Sequence, residues 1–376
     1  MSFACGRTGV SGFGVRMVVV AILSLPAVSG CQAPSKARQN STRWDRARLS
    51  ATLQLASENI AAGKFERARA ALAPFAGIPD ADVALTLARM DVEEGQYAAA
   101  LERLEVLTPA AVGESPPPML KPAARSTYHR LRGIALEGLG RWREAAAAYR
   151  SAFELEPDVL TLAAWVDTLA SDGQSATARA TLERERWRYP GEHTLHVLAA
   201  RLSMQAVDYD AAVRELATAA LAEPDSLEIL RWLAEAYDAA GRYEDAVEAW
   251  QRLAAGSRTS GERSVFRRRL ARSLMSAKRY HEARSVYSDL VLTQPDDHAA
   301  RLGLAAAYLA LERPADALEA ALQVLEVDGA NTDARLVAAA SYRSLGQRGR
   351  AVELLADVSP AEDRDGIARE LIARWR

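Results

Sequence analysis

The 376-residue chain has two cysteines, five histidines and no excess of positive charge, 47 Lys and Arg against 49 Asp and Glu. Each shortage closes a class of function. With a formal net charge of −2 there is no basic footprint for a phosphate backbone, so nucleic acid is excluded as a partner. The cysteines, Cys5 and Cys31, leave the long remainder without a thiol for an internal disulfide or a nucleophile. His193 and His196 sit three apart, but no cysteine or further histidine at ligand spacing joins them, and His129, His281 and His298 are scattered. No metal set results. Gly6, Gly9, Gly12 and Gly14 look like a phosphate-cradling loop only superficially, because no strand precedes them and no soluble helix follows. The single long apolar run, MVVVAILSLPAVS at 17–29, falls short of the roughly 20 residues that cross a bilayer. No catalytic residue stands out, and the chain reads as a non-enzyme.

What is present begins with that apolar run. Arg7 and Arg16 precede it with no acidic residue, and small residues end it. This is the layout of a secretory signal. Val28-Ser29-Gly30-Cys31 resembles the lipobox of bacterial lipoproteins. The resemblance implies that residues 1–30 are removed and that the Cys31 thiol is acylated and becomes the new N-terminus. No cofactor is expected beyond that covalent lipid. Removing two arginines and no acids takes the net charge from −2 to −4. Several acyl chains together give a lasting membrane anchor where one gives only reversible binding. In the lipoproteins this resembles, an Asp after the cysteine favours the inner membrane; Gln32 therefore favours the outer membrane, facing the periplasm. Residues 31–43 read as the lipidated cysteine and a polar, flexible tether, whose 12 residues from 32 to 43 reach about 20 Å on root-mean-square.

The body repeats. Alanine recurs at Ala145, Ala178, Ala212, Ala246, Ala283, Ala317 and Ala351, with a turn residue five before each: Gly140, Gly173, Val207, Gly241, Lys278, Glu312 and Gly346. Twelve residues after stand Pro157, Pro190, Pro224, Arg258, Pro295 and Gly329. A period near 34 with these residue types resembles the tetratricopeptide repeat, a helix–turn–helix unit. The resemblance implies an all-α, right-handed superhelical solenoid with a concave groove. Its divisions are two degenerate units over 44–107 around Ala68 and Ala100, a Pro-rich linker at 108–123, seven units over 124–359, and a capping helix over 360–376. Three consecutive prolines cannot continue a helix, so 108–123 is expected as a loop or hinge. Glycine at the turn tolerates a left-handed backbone. Alanine lets the two helices approach, and Tyr149, Trp250 and Tyr287, four residues later, fill the space between units. One unit cannot bury its apolar face alone, so stability comes from stacking.

In such repeats the first helix of each unit lines the groove. The register puts Arg130, Arg201, Met204, Arg231, Glu235, Arg268, Arg272 and Met275 there, with Glu137, Asp167, Glu228 and Asp238. Arg268 and Arg272 share one helical face, and their planar guanidinium forks suit carboxylates. They are expected either to hold an acidic segment of a partner or to pair with Glu235 and Asp238 of the preceding unit. The function implied is a membrane-tethered scaffold for envelope proteins or peptide segments, in assembly of an envelope or secretion complex. The alternative is an accessory subunit of an exopolysaccharide export machine touching polymer, which requires exposed aromatic residues such as Trp187 and Trp232.

Overall fold

The structure, a computed structural model, describes residues 36–76, 80–105, 107, 122–358, 363 and 366–375. The signal segment, Cys31 and most of the proline stretch lie outside the described residues. Helices follow one another in pairs: α1 (Lys36–Ala61) and α2 (Phe65–Leu72); α3 (Ala81–Glu93) and α4 (Tyr97–Glu105); α5 (Pro122–Gly138) and α6 (Trp142–Leu155); α7 (Val159–Ser171) and α8 (Ser175–Glu185). Next come α9 (His193–Gln205), which ends the first unit, and α10 (Tyr209–Ala222), which opens the second; then the pairs α11 (Leu227–Ala239) and α12 (Tyr243–Gly256), and α13 (Ser260–Ser276) and α14 (Tyr280–Thr293). The last are α15 (His298–Ala310) and α16 (Pro314–Val327), α17 (Thr332–Ser344) and α18 (Arg348–Ala356), then α19 (Ile367–Trp375). No strand occurs among the described residues. Within each of two compact units, one ending at Gln205 and one beginning at Ala206, helix pairs stack as repeats of a solenoid.

The turn inside each pair explains the periodic glycine. At eight turns an amide donates back five residues, as in Arg141 N–H to Leu136 O (2.9 Å), Arg242 to Tyr237 (2.9 Å) and Arg313 to Tyr308 (2.9 Å). This closure of a helix end requires a left-handed residue just before the donor. Gly63, Gly95, Gly140, Gly173, Gly241 and Gly346 supply it at φ of 68–78°. Lys278 (φ 63°) and Glu312 (φ 58°) adopt the same conformation without being glycine, and so does the β-branched Val207 (φ 61°). A side chain there strains the backbone by about 1 kcal/mol or more.

First helices open differently from second helices. Asp80, Asp158, Ser226, Thr259, Asp297 and Asn331 each cap a first helix by accepting a backbone N–H. Most second helices begin without a side-chain cap. Arginine at the entry residue instead bonds an acid three residues on, in Arg141–Glu144 (2.8 Å), Arg242–Asp245 (2.8 Å), Arg279–Glu282 (2.7 Å) and Arg313–Asp316 (2.8 Å).

The alanine row lies at the closest approach of the helices. Ala68, Ala100, Ala145, Ala178, Ala212, Ala246, Ala283, Ala317 and Ala351 are all fully buried. Tyr149, Trp250 and Tyr287 are buried as expected. Close approach has a second requirement that the sequence reading missed: a Cβ on Gly133 or Gly303 would meet the rings of Tyr149 and Tyr287 at 2.7 and 2.3 Å. Ala368 and Trp375 of α19 bury against Ala351 and Leu355, which closes the last pair as the expected cap.

Two expectations change. Residues 36–43, assigned to the flexible tether, belong to α1; Lys, Ala, Arg and Gln there are good helix formers. The proline stretch does not separate the helices on either side of it. Leu85, Val92 and Leu104 share one core with Tyr128, Leu131 and Ile134, and burial of that shared apolar surface holds them together whatever the intervening chain does.

Candidate functional site on the first-helix face

The arginines of the first helices divide by what their guanidinium groups touch. Arg130 is buried, its side chain 5% exposed, with Nη atoms 3.4 Å from Glu156 and 3.3 Å from Asp158. Asp158 is the cap of α7, accepting from Thr161 N–H at 2.9 Å. Arg130 therefore bridges from α5 to the next pair and is withdrawn from the candidate surface. Its long stem is buried with it, which a surface reading of the register could not foresee.

Arg268 repeats this arrangement. Its Nη1 lies 3.3 Å from Asp297, whose side chain is 7% exposed and which caps α15 through Ala300 N–H at 3.0 Å. The partner sits on the following pair, not on Glu235 or Asp238 of the preceding one. Arg268, like Arg130, clamps neighbouring repeats. Arg201 of α9 bonds Asp167 of α7 at 3.0 Å, linking successive first helices. Arg231 lies 3.4 Å from Glu235 on its own helix and stacks 4.8 Å above the Trp232 ring. Met204 is half-buried, and Met275 packs against the cores of the second unit. Glu228 is exposed.

Arg272 remains. It is exposed on α13 with no hydrogen-bond or ion-pair partner among the described residues. Arg269, which the sequence reading passed over, is exposed three residues before it and adjoins it on the helix surface. Both act on Asp238 of α11 through space. The open cationic pair on this face is thus Arg269 and Arg272.

Asp238 anchors the same face. Its carboxylate accepts from the Trp250 indole N–H at 2.8 Å and from the Ser273 hydroxyl at 2.5 Å, joining α11 to α12 and to α13. Burial pushes its pKa up, while the two hydrogen bonds and the charges of Arg272 and Arg269 pull it back; the net shift is upward. Glu137 holds the equivalent place in the first unit, accepting from the Tyr149 hydroxyl at 2.7 Å. Burial raises its pKa to about 7, opposed by the Tyr149 bond and reinforced by the like charge of Asp167. Burial, with Glu137 and Asp167 nearby, pushes the Tyr149 phenol well above its ordinary value. The twelve-residue spacing from acid to aromatic in both pairs is the signal that would have exposed this device.

Trp187 is 72% exposed, but it lies in the short 3-10 turn Arg186–Arg188 after α8, off the first-helix face. No group of three or more His, Cys, Asp and Glu side chains suited to a metal occurs among the described residues. No described helix is long and apolar enough to cross a membrane.

Comparison with known proteins fits this architecture. Residues 203–262 and 268–334 match family models described as tetratricopeptide repeat. The C-terminal part of a tetratricopeptide repeat-containing protein from Cytophaga hutchinsonii is similar at 14% identity and TM-score 0.53, over 66% of this chain and 97% of that one. A tetratricopeptide repeat protein from Parabacteroides merdae gives 14% identity and TM-score 0.49, over 67% and 98%. YrrB, described as a tetratricopeptide repeat protein with an unusual peptide-binding site, gives 17% and 0.44, over 50% and 96%. No curated protein matches the chain. The chain carries tetratricopeptide repeats and has their fold.

Proposed function

We propose that this protein is a lipid-anchored scaffold of the bacterial envelope, holding acidic segments of partner proteins on the α11–α13 face. A tetratricopeptide fold is consistent with protein–protein interaction, and proteins of this kind are generally non-catalytic. The observation that carries the site is the uncommitted pair Arg269 and Arg272, left open where Arg130 and Arg268 are engaged in bridging repeats. Two guanidinium forks on one helix surface favour a carboxylate-bearing chain. The Arg231–Trp232 stack on α11 offers a flat, cationic contact.

The anchor rests on the sequence around Cys31. A lipid at that position keeps the repeats near a membrane, raising the effective concentration of weak partner contacts. The polymer-export reading has less support, because Trp187 stands off the first-helix face and Trp232 is half-buried beneath Arg231.

Intact-mass spectrometry of the mature protein from membrane fractions, beside Cys31→Ala, tests the anchor. Cleavage before Cys31 with added acyl mass is expected; an uncut or unacylated wild-type chain contradicts it. Crosslinking in living cells followed by detergent extraction is expected to bring envelope proteins down with the wild type and fewer with Arg269→Ala/Arg272→Ala. Recovery of the scaffold alone defeats the functional reading.

A further inference from the structure

The half-buried carboxylate of Glu137 in the first unit has a neighbourhood unlike that of its counterpart in the second. Glu137 ends α5 with its side chain tucked toward α6, where the Tyr149 hydroxyl donates to it at 2.7 Å. From α7 it meets Asp167, whose carboxylate is engaged by Arg201 of α9 at 3.0 Å. On α5 itself Arg132 acts through space on His129 and Glu144, and at the start of α6 Arg141 is bonded to Glu144. Arg89 and Glu93 of α3 act on one another, and Arg143 of α6 lies 3.5 Å from Asp172 beyond α7. From α4, the Tyr97 ring lies where a Cβ on Gly138 would fall. The groups acting on Glu137 among the described residues are Tyr149 and Asp167.

Ionised Glu137 thus faces a second carboxylate from the next repeat, with one hydrogen-bond donor and no cation of its own. Neutral Glu137 still accepts the Tyr149 bond and carries no charge against Asp167. We propose that Glu137, Tyr149 and Asp167 form a pH-responsive joint in the first unit, in which α5, α6 and α7 pack firmly while Glu137 is protonated and loosen when it ionises. Burial, the largest influence, and Asp167 put the folded-state pKa of Glu137 at about 7, above the ordinary carboxylate value. The folded state therefore holds a proton that the opened state gives up, and stability is lost as pH rises toward and through neutrality. This is opposite to the usual carboxylate in a salt bridge. A tyrosine hydroxyl and one shared arginine are too little to cancel burial and a like charge.

The test is hydrogen–deuterium exchange of the full chain at pH 6 and pH 8, corrected for the intrinsic pH dependence of exchange. Amides of α5–α7 are expected to lose about tenfold protection in the wild type, the ratio set by a midpoint near 7. Glu137→Gln, which keeps the acceptor and removes the titration, is expected to show none of that loss, and Asp167→Asn is expected to move the midpoint downward. Equal protection at both pH values in the wild type, or the same loss in Glu137→Gln, overturns the proposal. Should Glu137→Gln fail to match the wild-type circular dichroism at pH 6, the carboxyl ¹³C titration of Glu137 in the wild type decides. A midpoint near 7 supports the joint, and one below 5 defeats it.

Discussion

The two units build the same repeat and store strain in different places. Among the described residues before 206, the left-handed residue preceding each second helix is glycine, at Gly63, Gly95, Gly140 and Gly173; after it, Val207, Lys278 and Glu312 share the task with Gly241 and Gly346. The half-buried acids Asp238 and Glu137 invert the pattern. Asp238 of the second unit has two donors and lies near Arg272 and Arg269, whereas Glu137 of the first has one donor and a like charge opposite. The first unit is relaxed in its backbone and strained in its electrostatics; the second is the reverse. Repeat geometry therefore fixes where a turn and a half-buried acid must stand, and the next repeat decides how comfortable each is.

Several substitutions separate the units. The largest effect belongs to Glu137→Gln. A folded pKa of about 7 makes the wild type lose up to about 3 kcal/mol as pH rises from the ordinary carboxylate range through neutrality. Denaturant unfolding of Glu137→Gln is expected to be flatter across that window and more stable than wild type at pH 8. Next, Ala145→Trp and Ala246→Trp are expected to cost alike, on the order of 1–3 kcal/mol each by overpacking, because both alanines are fully buried. Thermal unfolding that matches wild type in either variant breaks the common alanine role. Val207→Gly, Lys278→Gly and Glu312→Gly are each expected to stabilise by about 1 kcal/mol, and Gly241→Ala to destabilise by about as much. Chemical denaturation midpoints check the sign. The smallest effect is Arg272→Asp, which gives Asp238 the like-charged neighbour Glu137 already has. Its carboxyl titration is expected to move upward, and no movement denies that the next repeat tunes the acid.

Much of this fold was legible in the sequence, because a repeat repeats its reasons. Alanine spacing located the closest approaches along the alanine row, though not those at Gly133 and Gly303, and the residue five before each alanine located the left-handed residue that precedes the second helix, including the three where glycine is missing. The site was less legible. Register puts Arg130 and Arg268 on first helices but does not show that each reaches the acid capping the next first helix. That contact depends on how far the next repeat is displaced, and on a long side chain following the groove between helices. Arg269 was passed over because only the engagement of Arg268 leaves it as the partner of Arg272. The helical start of α1 was missed because a polar, proline-containing stretch was read as one tether, although its helix-forming part begins at Lys36.

The measurement that tests the functional account most directly is photocrosslinking in living cells from position 276. Ser276 is exposed on α13, one turn beyond Arg272, and a photoreactive residue there leaves both arginines in place. Leu292, exposed on the second helix α14, serves as the control position. The account predicts a discrete adduct with an envelope protein from position 276, absent from position 292 and lost with Arg269→Ala/Arg272→Ala. An adduct that survives the loss of both arginines, or that forms equally from position 292, would contradict it.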